Sequence, residues 1–266
     1  MREQDLRLFI TTQATNDRWW MASATGAMTR FVWAIVSLFV VQSAILALAI
    51  WPAAVFFQWH LRWEISPWLL RGVLLSAATV PAYLIFAHLL MLLSAISCRL
   101  LGWRPQADQT MRIAEYGWPL LDWARYSAVS HVVRLLVGPA LKATPMWTWY
   151  LRLDGAEIGR GVWVNSLGVT DHCLLRFGDN VVIGAGAHLS GHTAEGGAIK
   201  TGTIELGAGT TVGLNSIVGI GVTTGPDCQI GALSFVGKNS KLAGSTTYAG
   251  VPATAIAKDS PTESPS

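Results

Sequence analysis

The sequence predicts a mixed fold: an N-terminal transmembrane α-helical hairpin followed by a C-terminal left-handed parallel β-helix built from hexapeptide repeats. Three observations carry this expectation. Two long apolar stretches without a charged residue lie in the first hundred positions, an apolar series with a period of six fills the second half, and glycines keep phase with that series.

Composition sets the frame. Of 266 residues, 52% are hydrophobic and 13% charged, whereas charged residues make up about 25% of an ordinary soluble domain. Part of the chain is therefore expected in lipid. The net charge of +3 comes from basic residues dispersed among apolar ones, with no Lys/Arg-dense run, which argues against nucleic acid and for anionic lipid headgroups as the partner. Cys98, Cys173 and Cys228 are far apart and share no CxxC spacing. Neither a disulfide framework nor a thiolate metal site is indicated, and they read as free thiols.

Residues 1–30 are polar, carry Arg2, Arg7, Arg18 and Arg30, and read as a cytoplasmic N-terminal segment. The apolar run at 31–57 exceeds the 7–15 residues or so of a signal-peptide core. It and the run at 72–97 each exceed the roughly 20 residues that cross a bilayer as a helix. Residues 31–103 are thus expected to form a two-span transmembrane hairpin. The turn at 58–71 carries only Arg62 and Arg71, while Arg99, Arg104, Arg112, Arg125, Arg134 and Lys142 follow the second run. That bias puts both termini on the cytoplasmic side of the inner membrane. Trp51, Trp59, Trp63 and Trp68 surround the turn and Trp103 stands at the other boundary, as interfacial aromatic belts do.

Residues 104–150 are apolar but interrupted by Asp122, Arg125, His131, Arg134 and several prolines. They read as interfacial amphipathic helices in which Leu121, Ala124, Ala128, Val132 and Leu135 share a face while Arg125 and Arg134 snorkel.

At Ile158 the period becomes six. Apolar residues or Thr stand at Ile158, Val164 and Thr170, at Phe177, Ile183 and Leu189, and then from Leu206 through Val212, Val218, Thr224, Ile230, Val236 and Leu242 to Tyr248. Glycine follows most of them, as tight corners require. Small or β-branched residues four places on, among them Val181, Ala187, Thr210, Ser216, Cys228 and Ser234, suit an inward position with little room. Such a period marks a solenoid, three hexapeptides to a coil. It stacks Leu206, Thr224 and Leu242 in one internal column and Val212, Ile230 and Tyr248 in another. The β-helix domain is placed at 151–257. The polar, Pro/Ser-rich residues 258–266 read as a disordered tail.

One irregularity interrupts the series: Leu189 and Leu206 are 17 residues apart, so a loop at about 193–203 is extruded. Function tends to sit on such loops. His192 stands immediately before it and should point outward, with Asp171 and His172 one coil earlier on the same side. An imidazole is suited to removing a proton from a hydroxyl or amine, and a neighbouring carboxylate can fix its tautomer.

The stretch FGDNVVIGAGAHLSGH, the loop, and then IELGAGTTVGLNSIVGIGVTTGPDCQIGALSFVGKNSKLAGSTTYAGVPA resemble the hexapeptide-repeat acetyltransferases that include galactoside and maltose acetyltransferases. The resemblance implies an acyltransferase with His192 as general base, and the place of Asp171 one coil earlier makes it the candidate catalytic carboxylate that orients His192 or the acceptor. It also implies acetyl-CoA or another acyl thioester as co-substrate, with no metal expected, and a homotrimer. Asn215, Ser234 and Lys238 match family positions that line the CoA channel. His172 and Glu195 are the candidate acceptor contacts. His192 departs from the pattern in being followed by Thr193 rather than proline.

A further resemblance starts upstream. ATPMWTWYLRLDGAEIGRGVWVNSLGVTDHCLLRFGDNVVIG, with the preceding apolar runs, is similar to the membrane-bound C-terminal acetyltransferase-like domains of ε-poly-L-lysine synthetase-type peptide synthetases. It implies an alternative: a condensation-type aminoacyl transferase working with a carrier protein or peptide synthetase. The leading expectation is a membrane-anchored acyltransferase acting on a hydroxyl or amine of an amphiphilic or membrane-delivered acceptor. Two other readings stand behind these, a zinc hydrase using His172, His188 and His192, whose ligand motif is not matched, and a trimeric scaffold without activity.

Overall fold

A computed structural model describes residues 3–64 and 67–256, with side chains from residue 25 onward. The tail at 258–266, expected to be disordered, lies outside the described residues.

The chain opens on helix α1 (Glu3–Leu61) and helix α2 (Trp68–Leu100), packed side by side. α1 runs without a break through residue 30, where a separate N-terminal segment was expected to end. Both helices are long and apolar enough to cross a membrane. Ala34, Ile45 and Ala49 of α1 and Ala78, Ala82, Ala87 and Leu90 of α2 are buried, and the small ones let the helix axes approach closely. Trp33, Phe39, Val40 and Leu48 of α1 and Leu69, Val73 and Val80 of α2 are exposed instead, an outward-facing apolar surface.

A short strand β1 (Thr110–Arg112) precedes helices α3 (Trp118–Leu136), α4 (Gly138–Leu141) and α5 (Pro145–Leu153). α3 packs against both α1 and α2. Arg125, expected to snorkel, is buried: it pairs with Asp122, donates to Ser37 Oγ of α1 at 2.8 Å, and stacks 4.7 Å from the Trp103 ring. With α3 held against the hairpin, both terminal nitrogens of the guanidinium find partners within the protein, while Nε is buried with none. Thr144 caps α5, accepting from Trp147 N, with Pro145 in the first turn, where its missing N–H costs nothing. α5 buries Trp147, Tyr150 and Leu151 against the first strands of the second half and so closes that end of the solenoid.

The second half is a parallel β-helix. Its first coil is β2 (Glu157–Ile158), β3 (Trp163–Val164) and β4 (Val169–Thr170), and its second is β5 (Leu175–Phe177), β6 (Val182–Ile183) and β7 (His188–Ser190). A hairpin of β8 (His192–Glu195) and β9 (Ala198–Thr201) then leaves the solenoid. The third coil follows with β10 (Ile204–Leu206), β11 (Thr211–Val212) and β12 (Ile217–Val218), the fourth with β13 (Thr223–Thr224), β14 (Gln229–Ile230) and β15 (Phe235–Val236). β16 (Lys241–Leu242), β17 (Thr247–Gly250) and the antiparallel β18 (Ala253–Ile256) end it.

Three parallel sheets result, one per hexapeptide of the coil. Thr224 pairs with Leu242 on one face, and Val212, Ile230 and Tyr248 pair in succession on the next, the two columns the period of six dictates. Val181, Ala187, Thr210, Ser216, Val222 and Cys228 are fully buried between them. On the third face, β4, β7, β12 and β15 align His188, Ile217 and Phe235 in an outward column.

The extruded segment is ordered rather than a loop. Gly196 and Gly197 both have positive φ, 58° and 72°, the backbone that a two-residue turn between β8 and β9 needs. β1 adds to β9 as a third antiparallel strand. Met111, Ile199 and Leu120 pack beneath it as a small second core, tying the hairpin to α3.

Candidate active site

His192 opens β8, at the point where the hairpin leaves the coil, and Asp171 follows β4 one coil earlier. Thr170 and Phe177 are seven residues apart instead of six, and across this lengthened coil His192 Nδ1 lies 2.6 Å from Asp171 Oδ2. Asp171 has a left-handed backbone, φ 52° and ψ 52°, which a non-glycine residue adopts only where its surroundings enforce it. Here Leu174 N donates to Asp171 O at 2.8 Å, and the side chain is gripped as well. The Trp123 indole of α3 donates to Oδ1 at 3.0 Å, and Thr170 Oγ1 donates to Oδ2 at 3.2 Å. Ser190 Oγ stands 3.0 Å from His192 Nδ1.

Burial by itself would raise the Asp171 carboxyl, but hydrogen bonds from His192 and Trp123 and the nearby imidazoles outweigh it and hold the carboxyl below its usual value. Asp171 is therefore an anion that accepts, and Nδ1 is the protonated nitrogen of His192. Among the described residues, no hydrogen bond engages Nε2. The ring keeps 30% of its side-chain surface exposed, and Trp123 packs edge-on against it with centroids 4.8 Å apart. Together these groups open on a cavity of about 210 Å³ between α3 and the solenoid, lined by Ser127, Ser130, Arg134 and Thr170 beside the His192 pair.

His172, expected as an acceptor contact, is instead completely buried. Its Nδ1 is 2.7 Å from Asp154 Oδ2 and its Nε2 is 3.1 Å from Val169 O. Tyr126 and Ser130 of α3 donate to the same Asp154 oxygen at 2.7 and 3.3 Å. The imidazole is held in the core at the back of the cavity wall, which it also lines.

The three residues matched to a CoA channel separate. Ser234 is 1% exposed and accepts from Gly250 N, so it faces the interior, as its place in the hexapeptide already required. Asn215 stays exposed at a corner with φ 53°, its Oδ1 directly beneath Gly186, where an added Cβ would come within 2.1 Å. Lys238 stands at the far edge of the His188–Ile217–Phe235 face and bonds both carboxylate oxygens of Glu195, at 2.8 and 2.6 Å. Lys200 holds Glu195 at 2.7 Å from the other side. Glu195 is thus part of a bridge that folds the hairpin along that face.

Sequence reasoning missed Trp123, Ser190, Arg134 and Asp154. Ser190 adjoins a hexapeptide position and was within reach of the pattern. Nothing in the period of the solenoid indicates which α3 side chains cross to it. Among the described residues, no three His, Cys, Asp or Glu side chains converge to hold a metal ion.

Among solved structures, a galactoside acetyltransferase in complex with coenzyme A is 24% identical, with 42% of this chain and 68% of that chain covered and a TM-score of 0.35. The chain resembles hexapeptide-repeat acetyltransferases. A hexapeptide-repeat acetyltransferase of Vibrio cholerae, complexed with acetyl coenzyme A, is 17% identical over 63% of this chain and 86% of its own, with a TM-score of 0.39. The serine acetyltransferase of Neisseria gonorrhoeae is 20% identical over 68% and 74%, with a TM-score of 0.33. Among curated proteins, the delta-poly-L-ornithine synthetase of Acinetobacter baumannii (strain AB307-0294) is 25% identical over 113 residues, 42% of this chain. The match spans 8% of that protein's length. No family model matches the chain.

Proposed function

We propose that the protein is a membrane-anchored acyltransferase that moves an acyl group, acetyl in the simplest case, from a thioester to a hydroxyl or amine. The observation that carries this reading is the 2.6 Å contact between His192 Nδ1 and Asp171 Oδ2, with Nε2 left free at the cavity. Nε2 takes the proton of the acceptor as its oxygen or nitrogen attacks the thioester carbonyl carbon. The tetrahedral adduct collapses, the C–S bond breaks, and the leaving sulfur recovers the proton from the imidazolium. The Asp171 anion fixes the tautomer and offsets the transient positive charge.

The donor's pantetheine arm would lie along the face carrying His188, Ile217 and Phe235, where Ile217 and Phe235 expose apolar side chains. The Glu195–Lys238 bridge would wall one side of it and Asn215 the other. In this reading the coils are wound left-handed, as hexapeptide spacing implies, and a second copy of the chain completes the groove in a homotrimer. α1 and α2 are taken as a two-span anchor with both termini cytoplasmic, which brings the cavity under α3 close to the membrane and favours an amphiphilic or membrane-delivered acceptor.

The similarity to a poly-ornithine synthetase favours a second reading, in which the thioester is an aminoacyl group on a carrier protein. Thiol release from acetyl-CoA and from an aminoacyl-loaded carrier protein, measured side by side on the detergent-solubilised chain, separates the two. Release from acetyl-CoA alone supports the first and release from the carrier alone the second. Release from neither rejects acyl transfer.

A further inference from the structure

The cavity beside His192 is lined by a cation, Arg134, that no carboxylate among the described residues balances. Arg134, in the last turn of α3, lines the same cavity as His192. Its Nη1 donates to Leu167 O at 3.2 Å and its Nη2 meets His131 Nδ1 at 3.2 Å, both of them neutral acceptors. Its Nε is buried with no partner. Among the described residues, no carboxylate lies within ion-pair distance of the guanidinium. The one carboxylate at the cavity wall, Asp171, is already taken by His192, Trp123 and Thr170.

A partly buried arginine without a counter-ion beside a reactive site has the donor set that carboxylates and phosphates fit, since a planar guanidinium can meet two anionic oxygens at once. Burial holds the His188 imidazole below its usual value, with Arg134 lowering it further and Asp171 opposing. Ser127 adds a hydroxyl to the same wall.

We infer that Arg134 binds an anionic group, a carboxylate or a phosphate, on the acceptor, and that it selects acceptors carrying such a group beside the nucleophile. This inference rests on the acyl-transfer reading for the word acceptor, but the anion site itself does not. A cavity of about 210 Å³ fits an amino-acid-sized molecule or a lipid headgroup, and both present the same anionic oxygens.

Two measurements on the full chain in detergent or nanodiscs test it. In the first, imidazole resonances of His188 and His192 are followed by NMR as inorganic phosphate or acetate is added, for wild type, Arg134→Gln and Arg134→Lys. Saturable shifts in wild type, weakened about tenfold or more in Arg134→Gln and partly kept in Arg134→Lys, are expected for loss of one charge-assisted contact. Shifts that appear with phosphatidylglycerol nanodiscs and not with phosphatidylcholine or soluble anions assign the group to a lipid headgroup. No saturable shift with any anion, or identical titrations of wild type and Arg134→Gln, overturns the site.

In the second, thiol release is compared for an α-amino acid, its amide and phosphoethanolamine as acceptors. Wild type should prefer an anionic acceptor by about tenfold in kcat/KM, with the difference in KM and abolished in Arg134→Gln. Equal use of the charged acceptors and the amide by wild type overturns the selectivity. Because the NMR arm needs no turnover, an intact anion site in a chain that releases no thiol rejects acyl transfer and leaves this site standing.

Discussion

Lys238, in the fourth coil, bonds both carboxylate oxygens of Glu195, near the tip of the hairpin that leaves the second coil. One ion pair thus spans two coils and lays the hairpin along the solenoid. The hydrogen bonds from Lys200 and Lys238 hold the Glu195 carboxyl down to about 2, below its ordinary 4.5. A carboxyl depressed in the folded state adds stability that is complete above its unfolded value and disappears as pH falls through its folded one. Hairpin docking should therefore persist at pH 4.5 and be lost towards pH 2, and weaken in high salt because the pair is exposed. Carboxyl NMR of Glu195 with amide exchange across 192–201 checks this, and a Glu195 midpoint at its ordinary value contradicts it.

Gly191 separates Ser190 from His192 where the chain passes close to Asp171 and Leu174 of the preceding coil. A Cβ there would stand 2.9 Å from Asp171 Cβ and 2.9 Å from Leu174 Cβ. Gly191→Ala should displace Asp171 from His192, and a shift of this kind lowers kcat by about 100-fold while the donor KM changes little. Wild-type kcat in a folded Gly191→Ala chain would show that the pair tolerates displacement.

The indole of Trp123 is one reason the Asp171 carboxyl sits low. Trp123→Phe keeps a ring against His192 and removes the N–H, so the Asp171 titration should move up towards the usual carboxylate value. Carboxyl NMR reads this directly, and an unmoved titration would mean that the indole hydrogen bond contributes nothing.

Beneath the site, Asp154 and His172 form a pair with side chains 1% exposed. Asp154→Ala leaves the imidazole buried without its partner and should cost about 3–5 kcal/mol. Glu205→Ala breaks the exposed Arg176–Glu205 pair and should cost about 0–1 kcal/mol. Unfolding midpoints of the two variants in the same detergent check the contrast, and equal losses would contradict it.

Much of the solenoid was legible because its period is covalent information: residues 18 apart in the chain, such as Val212 and Ile230, must stack if the coils do. The same arithmetic put Asp171 within a coil of His192 and marked the interruption that follows His192. It did not show that His172 is buried against Asp154, because that contact is made inside the core and not along the spacing of the coils. Ser234 was readable as inward from its hexapeptide place, against the resemblance that put it in a channel. Trp123 and Arg134 were out of reach, since their contacts depend on how α3 crosses the solenoid. The hairpin was read as a loop because its third strand, β1, is three residues long and lies some eighty positions upstream.

The most direct test is thiol release by His192→Ala and Asp171→Asn beside wild type, at saturating donor. If Nε2 of His192 is the base and Asp171 fixes its tautomer, His192→Ala should lose about 10²–10⁴-fold in kcat, with the donor KM held. Asp171→Asn should lose activity in the same direction. Turnover by His192→Ala equal to wild type would contradict the assignment.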